Sequence, residues 1–266
     1  MVLLSAAALT GCTVAPTEPA SEPSVAATST TTSSPTPVSA APSTTETVSP
    51  RTDLPLALLG TDWELIPTTE KVVALTFDGG SNDVAVGSVL ATLAASQVPA
   101  TFFLTGDFAR AYPESVSQIA VAGHRFANHS DQHQAYPGLT NEQISADLTL
   151  TEQAIAAAGG STGKPFFRFP FGDRTPAVIQ AVNANGYGCI RWTVDTLGWK
   201  GTSGGITAEI VRQRVLDAAQ PGEIVLMHLG ANPDDGTTLD ADALPGMIQA
   251  LRDMGYTFVT LDAMLG

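Results

Sequence analysis

The sequence is poor in cysteine, in basic residues and in long apolar runs. It has two cysteines, and its 12 lysines and arginines against 26 aspartates and glutamates give a formal net charge of -14. This acidic balance argues against a nucleic-acid partner, because phosphate binding needs clustered lysine and arginine. No run of about 18 apolar residues occurs, so the sequence predicts no stable transmembrane helix.

The N-terminus has a short apolar stretch that ends near a cysteine. The segment Leu9-Thr10-Gly11-Cys12 resembles a bacterial lipobox, in which the cysteine is lipidated and becomes the first mature residue. This predicts a signal segment over residues 1–12 and a protein anchored to the membrane outside the cytoplasm. The alternative is an ordinary signal peptide that contains a cysteine. With Cys12 lipidated, Cys189 has no partner, and no disulfide is expected.

Residues 13–55 are rich in serine, threonine, proline and alanine. The segment has no aromatic residues and no period, so it cannot bury enough apolar surface to fold. We expect a disordered linker that tethers the domain formed by residues 56–266.

Residues 56–266 alternate short apolar runs with helical patterns. A helix is expected to begin at Thr140, which stands at capping-box spacing from Gln143, and another at Pro176, with Thr175 as its N-cap. Fully apolar strands that alternate with helices predict an α/β fold with a parallel sheet, and seven of them favour a closed or nearly closed barrel. The predicted strands are 72–77, 100–105, 125–128, 166–169, 189–194, 223–228 and 256–261.

Ionisable residues fall at or just after the ends of five of these strands. Active sites of α/β folds form from loops at the carboxyl ends of strands, so these side chains are expected to meet on one rim. The residues are Asp78, His129, His133, Arg168, Asp195 and His228.

His129 and His133 are four residues apart, and on a helical turn they would share a face and reach one metal ion. An imidazole pair with an oxygen ligand suits Zn²⁺ or another borderline divalent ion such as Co²⁺. Such a pair alone is weak evidence, but beside Asp78 and His228 it indicates a metal site.

Five ordered motifs resemble those of the NodB-homology polysaccharide deacetylases, carbohydrate esterase family 4. The resemblance implies a distorted (β/α) barrel of about seven strands and metal-dependent removal of acetyl groups from sugars. The matching segments are TFDGG (76–80), HSDQH (129–133), RFPFG (168–172), DTLGW (195–199) and LMH (226–228).

The family also implies a role for each residue that matches a motif. Asp78 would be the general base that takes a proton from a metal-activated water, and His228 the general acid that protonates the departing nitrogen. Arg168 would hold Asp78 ionised, and Asp195 would orient His228 and raise its pKa.

Three further residues would contact the acetyl group. The backbone N–H of Phe171 would help to hold the developing oxyanion. Trp199 and Leu226 would form the walls of a small acetyl pocket.

The sequence departs from the family at Gly79, where the family usually carries a second aspartate as metal ligand. Three outcomes are open. Asn82 or Asp83 supplies the oxygen ligand, with Asn82 slightly favoured; two histidines and waters hold the ion more weakly; or the ion is absent and the domain only binds glycan. We favour a retained ion with an altered third ligand, because every other catalytic position is filled.

The predicted function is therefore N-deacetylation of a cell-envelope glycan, with peptidoglycan as the substrate suggested by location. The alternatives are a catalytically silent glycan-binding domain, an O-deacetylase of acetylated xylan, and cleavage of another C–N amide. The sequence contains no signal for the oligomeric state.

Overall fold

The computed structural model describes residues 54–266. The predicted lipidation site at Cys12 and nearly all of the predicted linker at residues 13–55 lie outside the described residues. Within residues 54–266, no helix is both long and apolar enough to cross a membrane.

The described chain is built around a parallel β-sheet. Its strands are β1 (Asp62–Trp63), β2 (Val72–Gly79), β3 (Thr101–Leu104), β4 (Arg125–Asn128), β5 (Phe166–Phe167), β6 (Gly188–Ile190), β7 (Val194–Asp195), β8 (Glu223–His228) and β9 (Thr257–Val259). They follow the order β1-β6-β5-β4-β3-β2-β8-β7, and β9 pairs with the beginning of β2. This arrangement confirms the predicted α/β class with a distorted barrel.

Helices connect most of the strands. They are α1 (Val86–Ser96), α2 (Gly106–Ala111), α3 (Pro113–Val121), α4 (Asn141–Ala157), α5 (Pro176–Ala184), α6 (Ala208–Ala218) and α7 (Leu239–Asp253). The two predicted helix starts are confirmed. Thr140 and Gln143 form a reciprocal capping box at the start of α4, and the Thr175 hydroxyl accepts the Val178 N–H at the start of α5.

The alternation of side chains along β2 separates the core from the site. Val73, Leu75 and Phe77 pack with the helices in the larger hydrophobic cluster, whereas Ala74 belongs to a second cluster on the other side of the sheet. Because side chains alternate with a period of two, Asp78 falls on the side of Ala74. A carboxylate at the end of a buried strand therefore points into the barrel and away from the helix layer.

Four strands, β2, β3, β5 and β9, differ from the predictions by one or two residues at their ends, and two features differ more. The run 189–194 is split into β6 and β7, which lie on opposite branches of the sheet, with an intervening segment that hydrogen-bonds to residues 63, 64 and 224. The two-residue strand β1 was not predicted. The strands β1, β6 and β7 are too short to show the alternation of apolar and polar residues by which a strand is recognised in a sequence.

Candidate active site

A cavity of about 600 Å³ opens where β2, β7 and β8 end. Its walls bring together most of the side chains predicted from the sequence. Arg168 lies behind the wall, and neither Asn82 nor Asp83 contributes to it. The predicted residues that line it are Asp78, His129, His133, Phe171, Asp195, Trp199, Leu226 and His228.

Asp78 forms a buried ion pair with Arg168. One carboxylate oxygen of Asp78 accepts a hydrogen bond from the Arg168 guanidinium at 2.6 Å. Burial alone would raise the pKa of Asp78, but Arg168, together with His129 and His228, outweighs burial and lowers that pKa below its ordinary value. Asp78 is therefore an anion at neutral pH.

The Arg168 guanidinium is itself fixed by its surroundings. It donates to the Thr76 hydroxyl and to the Arg191 carbonyl oxygen, each at 2.9 Å. Its carbon lies 3.9 Å from the centre of the Phe103 ring. A planar cation held on several sides gives Asp78 one orientation, which is what a general base requires.

His129 and His133 meet through a loop rather than a helical turn. The segment from His129 to His133 is not helical, and Ser130 and His133 have positive φ values of 71° and 55°. The Ser130 hydroxyl accepts the His133 N–H at 3.0 Å, and the two imidazole centres lie 4.9 Å apart. The prediction of a shared helical face is wrong, but the loop brings the two rings together by another route.

Both imidazoles are held in the neutral form. Burial lowers the pKa of His129 even though Asp78 acts in the opposite direction, and burial, reinforced by the neighbouring His129, lowers the pKa of His133 to about 4. Nδ1 of His129 lies 2.9 Å from the Arg168 carbonyl oxygen, which can only accept, so Nδ1 carries the proton. Nε2 then keeps its lone pair, the form in which histidine binds a cation. This nitrogen lies 3.3 Å from Asp78 Oδ2.

The predicted third ligands are engaged away from the histidine pair. The Asn82 amide donates to the Ala231 carbonyl oxygen at 3.1 Å and accepts the Ala231 N–H at 2.8 Å. The Asp83 carboxylate accepts from the Ser115 hydroxyl at 2.7 Å. The expectation that one of the two supplies the oxygen ligand therefore needs correction, since the hydrogen bonds of both are already made elsewhere.

Gly79 faces the helix layer and not the cavity. A Cβ at this position would lie 2.7 Å from Leu104 Cδ2 and 3.1 Å from Leu229 Cδ1, both in the larger hydrophobic cluster. On this backbone, a carboxylate at position 79 would meet hydrocarbon. No group of three or more His, Cys, Asp or Glu side chains in residues 54–266 forms a metal site. The donor set fits a divalent ion held by the neutral His129 and His133 with solvent, and not a closed set of three protein ligands.

His228 ends β8, directly beside Asp78 on β2 in the register of the sheet. The carboxylate nearest to its ring belongs to Asp240, whose Oδ2 lies 3.6 Å from Nδ1 and accepts the His228 backbone N–H at 2.8 Å. Burial lowers the pKa of His228, but Asp240, with Asp78 and Asp195, outweighs it and raises that pKa above its ordinary value.

Asp195 has a different role from the one expected. Its carboxylate accepts the Leu197 N–H at 2.8 Å and the indole N–H of Trp199 at 3.4 Å. Asp240, and not the predicted Asp195, is thus the carboxylate that contacts the His228 ring. Asp195 raises the pKa of His228 only as a more distant charge. Asp195 instead orients the loop that carries Trp199.

The residues predicted to contact an acetyl group lie around the mouth of the cavity. Leu226 is buried, Trp199 is half exposed, and Phe171 is exposed with a positive φ of 60°. The Phe171 ring packs edge-on against His133, with 4.5 Å between ring centres. The proposed oxyanion contact of the Phe171 N–H stays a prediction.

Sequence reasoning missed Asp240 and Trp192. Asp240 lies in the first turn of α7, and Trp192 lines the cavity from the segment between β6 and β7. Neither belongs to a motif, and neither follows the end of a predicted strand. The only signal for Asp240 was its position in an acidic segment that begins a helix, which is an ordinary place for a carboxylate.

Comparisons with known proteins find polysaccharide deacetylases and their structural relatives. The sequence profile described as polysaccharide deacetylase matches residues 66–190. The chain is 31% identical over 198 residues to a peptidoglycan-N-acetylglucosamine deacetylase of Bacillus cereus, which covers 74% of this chain and 70% of the relative. It is 32% identical over 196 residues to a chitooligosaccharide deacetylase of Sinorhizobium fredii, covering 71% and 89%.

Solved structures add two further likenesses. PdaA of Bacillus subtilis, described as a family 4 carbohydrate esterase, superposes with a TM-score of 0.70 at 28% identity, covering 77% of this chain and 85% of the other. Its curated description is peptidoglycan-N-acetylmuramic acid deacetylase. A carbohydrate esterase family 4 pseudoenzyme of Bacillus anthracis superposes with a TM-score of 0.66 at 29% identity, covering 74% and 66%.

Proposed function

The chain belongs to the polysaccharide deacetylase family, carbohydrate esterase family 4, and from this membership we propose that it hydrolyses the acetamide of N-acetylated cell-envelope glycan, with peptidoglycan as the principal substrate. The predicted class of enzyme, a polysaccharide deacetylase, is confirmed. The observation that carries the proposed chemistry is that Asp78, ion-paired with Arg168, and His228, whose pKa is raised above its ordinary value, lie side by side in one cavity.

Asp78 is proposed as the general base. Its carboxylate lies at the cavity wall with one oxygen fixed by Arg168, and the second oxygen accepts the proton of the attacking water. A carboxylate with a lowered pKa is a weak base, so the water needs further activation by a positive charge.

A divalent ion on the neutral His129 and His133 is proposed to supply that charge, and Zn²⁺ suits the imidazole donors. When bound, such an ion polarises the acetyl carbonyl and acidifies water as a Lewis acid. The other proposed steps depend on side chains and backbone groups of the protein. Arg168 keeps the proton off Asp78 until the water is in place, and its carbonyl oxygen fixes the His129 tautomer.

His228 is proposed as the general acid. An amine is a poor leaving group, and cleavage of the C–N bond needs a proton on the sugar nitrogen. The nearby carboxylates of Asp240, Asp78 and Asp195 outweigh burial and raise the pKa of His228, which favours the protonated form that this step needs. Trp199 and Leu226 are proposed to exclude water from the side on which a methyl group would lie, and the Phe171 N–H is proposed to receive the oxyanion.

The charges of the cavity favour a neutral sugar. Its lining contains Asp78 and Asp195 and no lysine or arginine. The two aspartates would repel a lactyl carboxylate on the sugar, and the lining offers no lysine or arginine to pair with it. We therefore propose N-acetylglucosamine residues, rather than N-acetylmuramic acid residues, as the units that are deacetylated.

Anchoring by a lipid on Cys12 remains part of the proposal, with residues 13–55 as the tether. It rests on the Leu9-Thr10-Gly11-Cys12 segment. Fractionation of cells that express the wild type and Cys12→Ser tests it. Recovery of both proteins in the membrane fraction would refute lipidation at this residue.

The second candidate function is a silent glycan-binding domain. It is favoured by the absence of a third protein ligand beside the histidine pair in residues 54–266, and one of the similar structures is that of a pseudoenzyme. Acetate release from N-acetylglucosamine oligomers and from wall fragments, after chelation and after return of Zn²⁺ or Co²⁺, separates the two functions.

The proposal predicts release that chelator abolishes and added ion restores, together with a bound divalent ion by elemental analysis. Binding of oligomers without any release of acetate would establish the silent domain. Release from acetylated xylan alone would establish O-deacetylation.

A further inference from the structure

A carboxylate outside all five motifs contacts the proposed acid. Asp240, in the first turn of α7, lies with Oδ2 2.8 Å from the backbone nitrogen of His228 and 3.6 Å from its Nδ1. We propose that Asp240 is a positioning residue for His228, which orients the imidazole and keeps on it the proton that the acid step consumes. This inference rests on the proposed function, in which His228 is the general acid.

The contact between Asp240 and His228 is isolated from other partners. The Asp240 side chain is almost completely buried, and within residues 54–266 neither Oδ1 of Asp240 nor Nδ1 of His228 has a hydrogen-bond partner. A buried ring nitrogen without a partner is costly. The Asp240 carboxylate lies 3.6 Å from Nδ1, and a proton on Nδ1 would turn the contact into a charge-assisted hydrogen bond.

The fold makes room for this carboxylate. A Cβ at Gly198 would lie 2.2 Å from Oδ1 of Asp240 and 2.6 Å from its carboxyl carbon. Any side chain at position 198 therefore displaces Asp240 from its place beside His228. The glycine of the DTLGW segment and the first turn of α7 fit each other at this point, although they are far apart in sequence.

The sequence-predicted partner does not compete for the same nitrogen. The Asp195 carboxylate is occupied by the Leu197 N–H and the Trp199 indole. It also lies beyond the 4.0 Å ion-pair distance from His228 that Asp240 meets. Several charged and titratable groups face the imidazole, so the loss of one alters its proton affinity without abolishing it. They are Asp78 from β2, Asp195 from β7, Asp240 from α7, and His129 and His133 from the loop after β4.

The test is Asp240→Asn, with Asp242→Asn as the matched control. Both residues lie in the first turn of α7, but Asp242 is exposed to solvent. An asparagine can still accept the His228 backbone N–H, so the local fold is kept while the charge is removed. The imidazole pKa of His228 is measured by NMR titration of histidine-labelled protein, in parallel with the pH dependence of kcat and KM for N-acetylglucosamine oligomers.

We expect the His228 pKa to fall by about one pH unit or more in Asp240→Asn, since an opposite charge in contact shifts a pKa by that amount. The alkaline limb of the kcat profile should move down by the same interval, while KM changes little and Asp240→Glu restores part of the shift. Asp242→Asn should behave as the wild type.

An unchanged His228 pKa in Asp240→Asn would overturn the inference. A large fall of the His228 pKa in Asp195→Asn, with none in Asp240→Asn, would overturn it as well. Should Asp240→Asn fail to fold, Gly198→Ala displaces the same carboxylate and is read by the same titration. If the wild type releases no acetate but its His228 pKa still depends on Asp240, the proposed function fails and the positioning contact stands.

Discussion

Arg168 supports the site more directly than any other side chain. It is almost fully buried and neutralises Asp78, which is also buried. Arg168→Met leaves that carboxylate without a counter-charge, so we predict a loss of about 3–5 kcal/mol in the free energy of unfolding. Denaturant titration measures the change.

The control for Arg168 is Arg212→Ala, which removes an exposed ion pair with Glu209 at 2.7 Å. Surface pairs of this kind contribute little because solvent screens them, and we expect no resolvable change in the free energy of unfolding. Equal stability of the two variants would show that the buried pair does not hold the site together.

Glu223 gives the fold a dependence on pH. Its side chain is fully buried without a hydrogen-bond partner in residues 54–266, and burial raises its pKa from 4.5 to about 8. The folded state favours the protonated form of Glu223. The free energy of unfolding is therefore highest below pH 4.5 and falls as the pH rises towards about 8.

Glu223→Gln should remove this decline, which we expect to be on the order of a few kcal/mol between pH 5 and pH 8. Thermal unfolding across this range, with Glu70→Gln as an exposed control, measures it. If stability falls between pH 5 and pH 8 in Glu223→Gln as it does in the wild type, the decline arises from other groups.

At the scale of elements, α4 carries the support of the histidine loop. Its Asp147 accepts the Tyr136 hydroxyl at 2.6 Å and the Asp131 N–H at 3.0 Å. Because Asp131 lies between His129 and His133, the position of α4 fixes the loop that brings the two imidazoles together.

The start of α4 depends on its capping box, in which the Thr140 hydroxyl accepts the Gln143 N–H. Thr140→Ala should lower the free energy of unfolding by about 1 kcal/mol. The control is Thr149→Ala in the middle of the same helix, where the hydroxyl only bonds back to the Ser145 carbonyl oxygen. That change should be neutral or slightly stabilising, because alanine favours helix. Equal losses in the two variants would contradict the capping role.

The elements show how far the sequence could be read. Long apolar runs such as 72–77 and 223–228 were found because they are continuous and end at polar residues. The interruption of the run 189–194 could not be predicted, because an irregular segment between two short strands has no periodic pattern of apolar residues. The histidine pair came from spacing, but its backbone is set by positive φ values that spacing does not encode.

The site shows the same limit. Asp78, Arg168 and His228 could be placed on one rim because each is at or near the end of a strand. Asp240 reaches His228 only because the first turn of α7 meets the end of β8 and Gly198 leaves space, which is a tertiary relation without a local signature. Asn82 and Asp83 are near Gly79 in sequence, but their side chains are engaged by the Ala231 backbone and by the Ser115 hydroxyl.

At the scale of the whole molecule, the chain carries a formal net charge of -14. Such a field repels anionic glycans, and salt screens it as the Debye length falls from about 30 Å at 0.01 M to about 8 Å at 0.15 M. Over this range we predict that kcat/KM rises severalfold for muramic-acid-containing fragments and stays nearly constant for neutral N-acetylglucosamine oligomers. Equal salt responses for the two substrates would contradict the proposed preference for a neutral sugar.

The most direct measurement compares acetate release and oligomer binding for the wild type and Asp78→Asn, with Asp217→Asn on the exposed face of α6 as control. The account predicts release by the wild type and the control, a fall of at least about 100-fold in Asp78→Asn, and similar oligomer affinity in all three proteins. Release by Asp78→Asn at the wild-type rate would contradict a general base at this position.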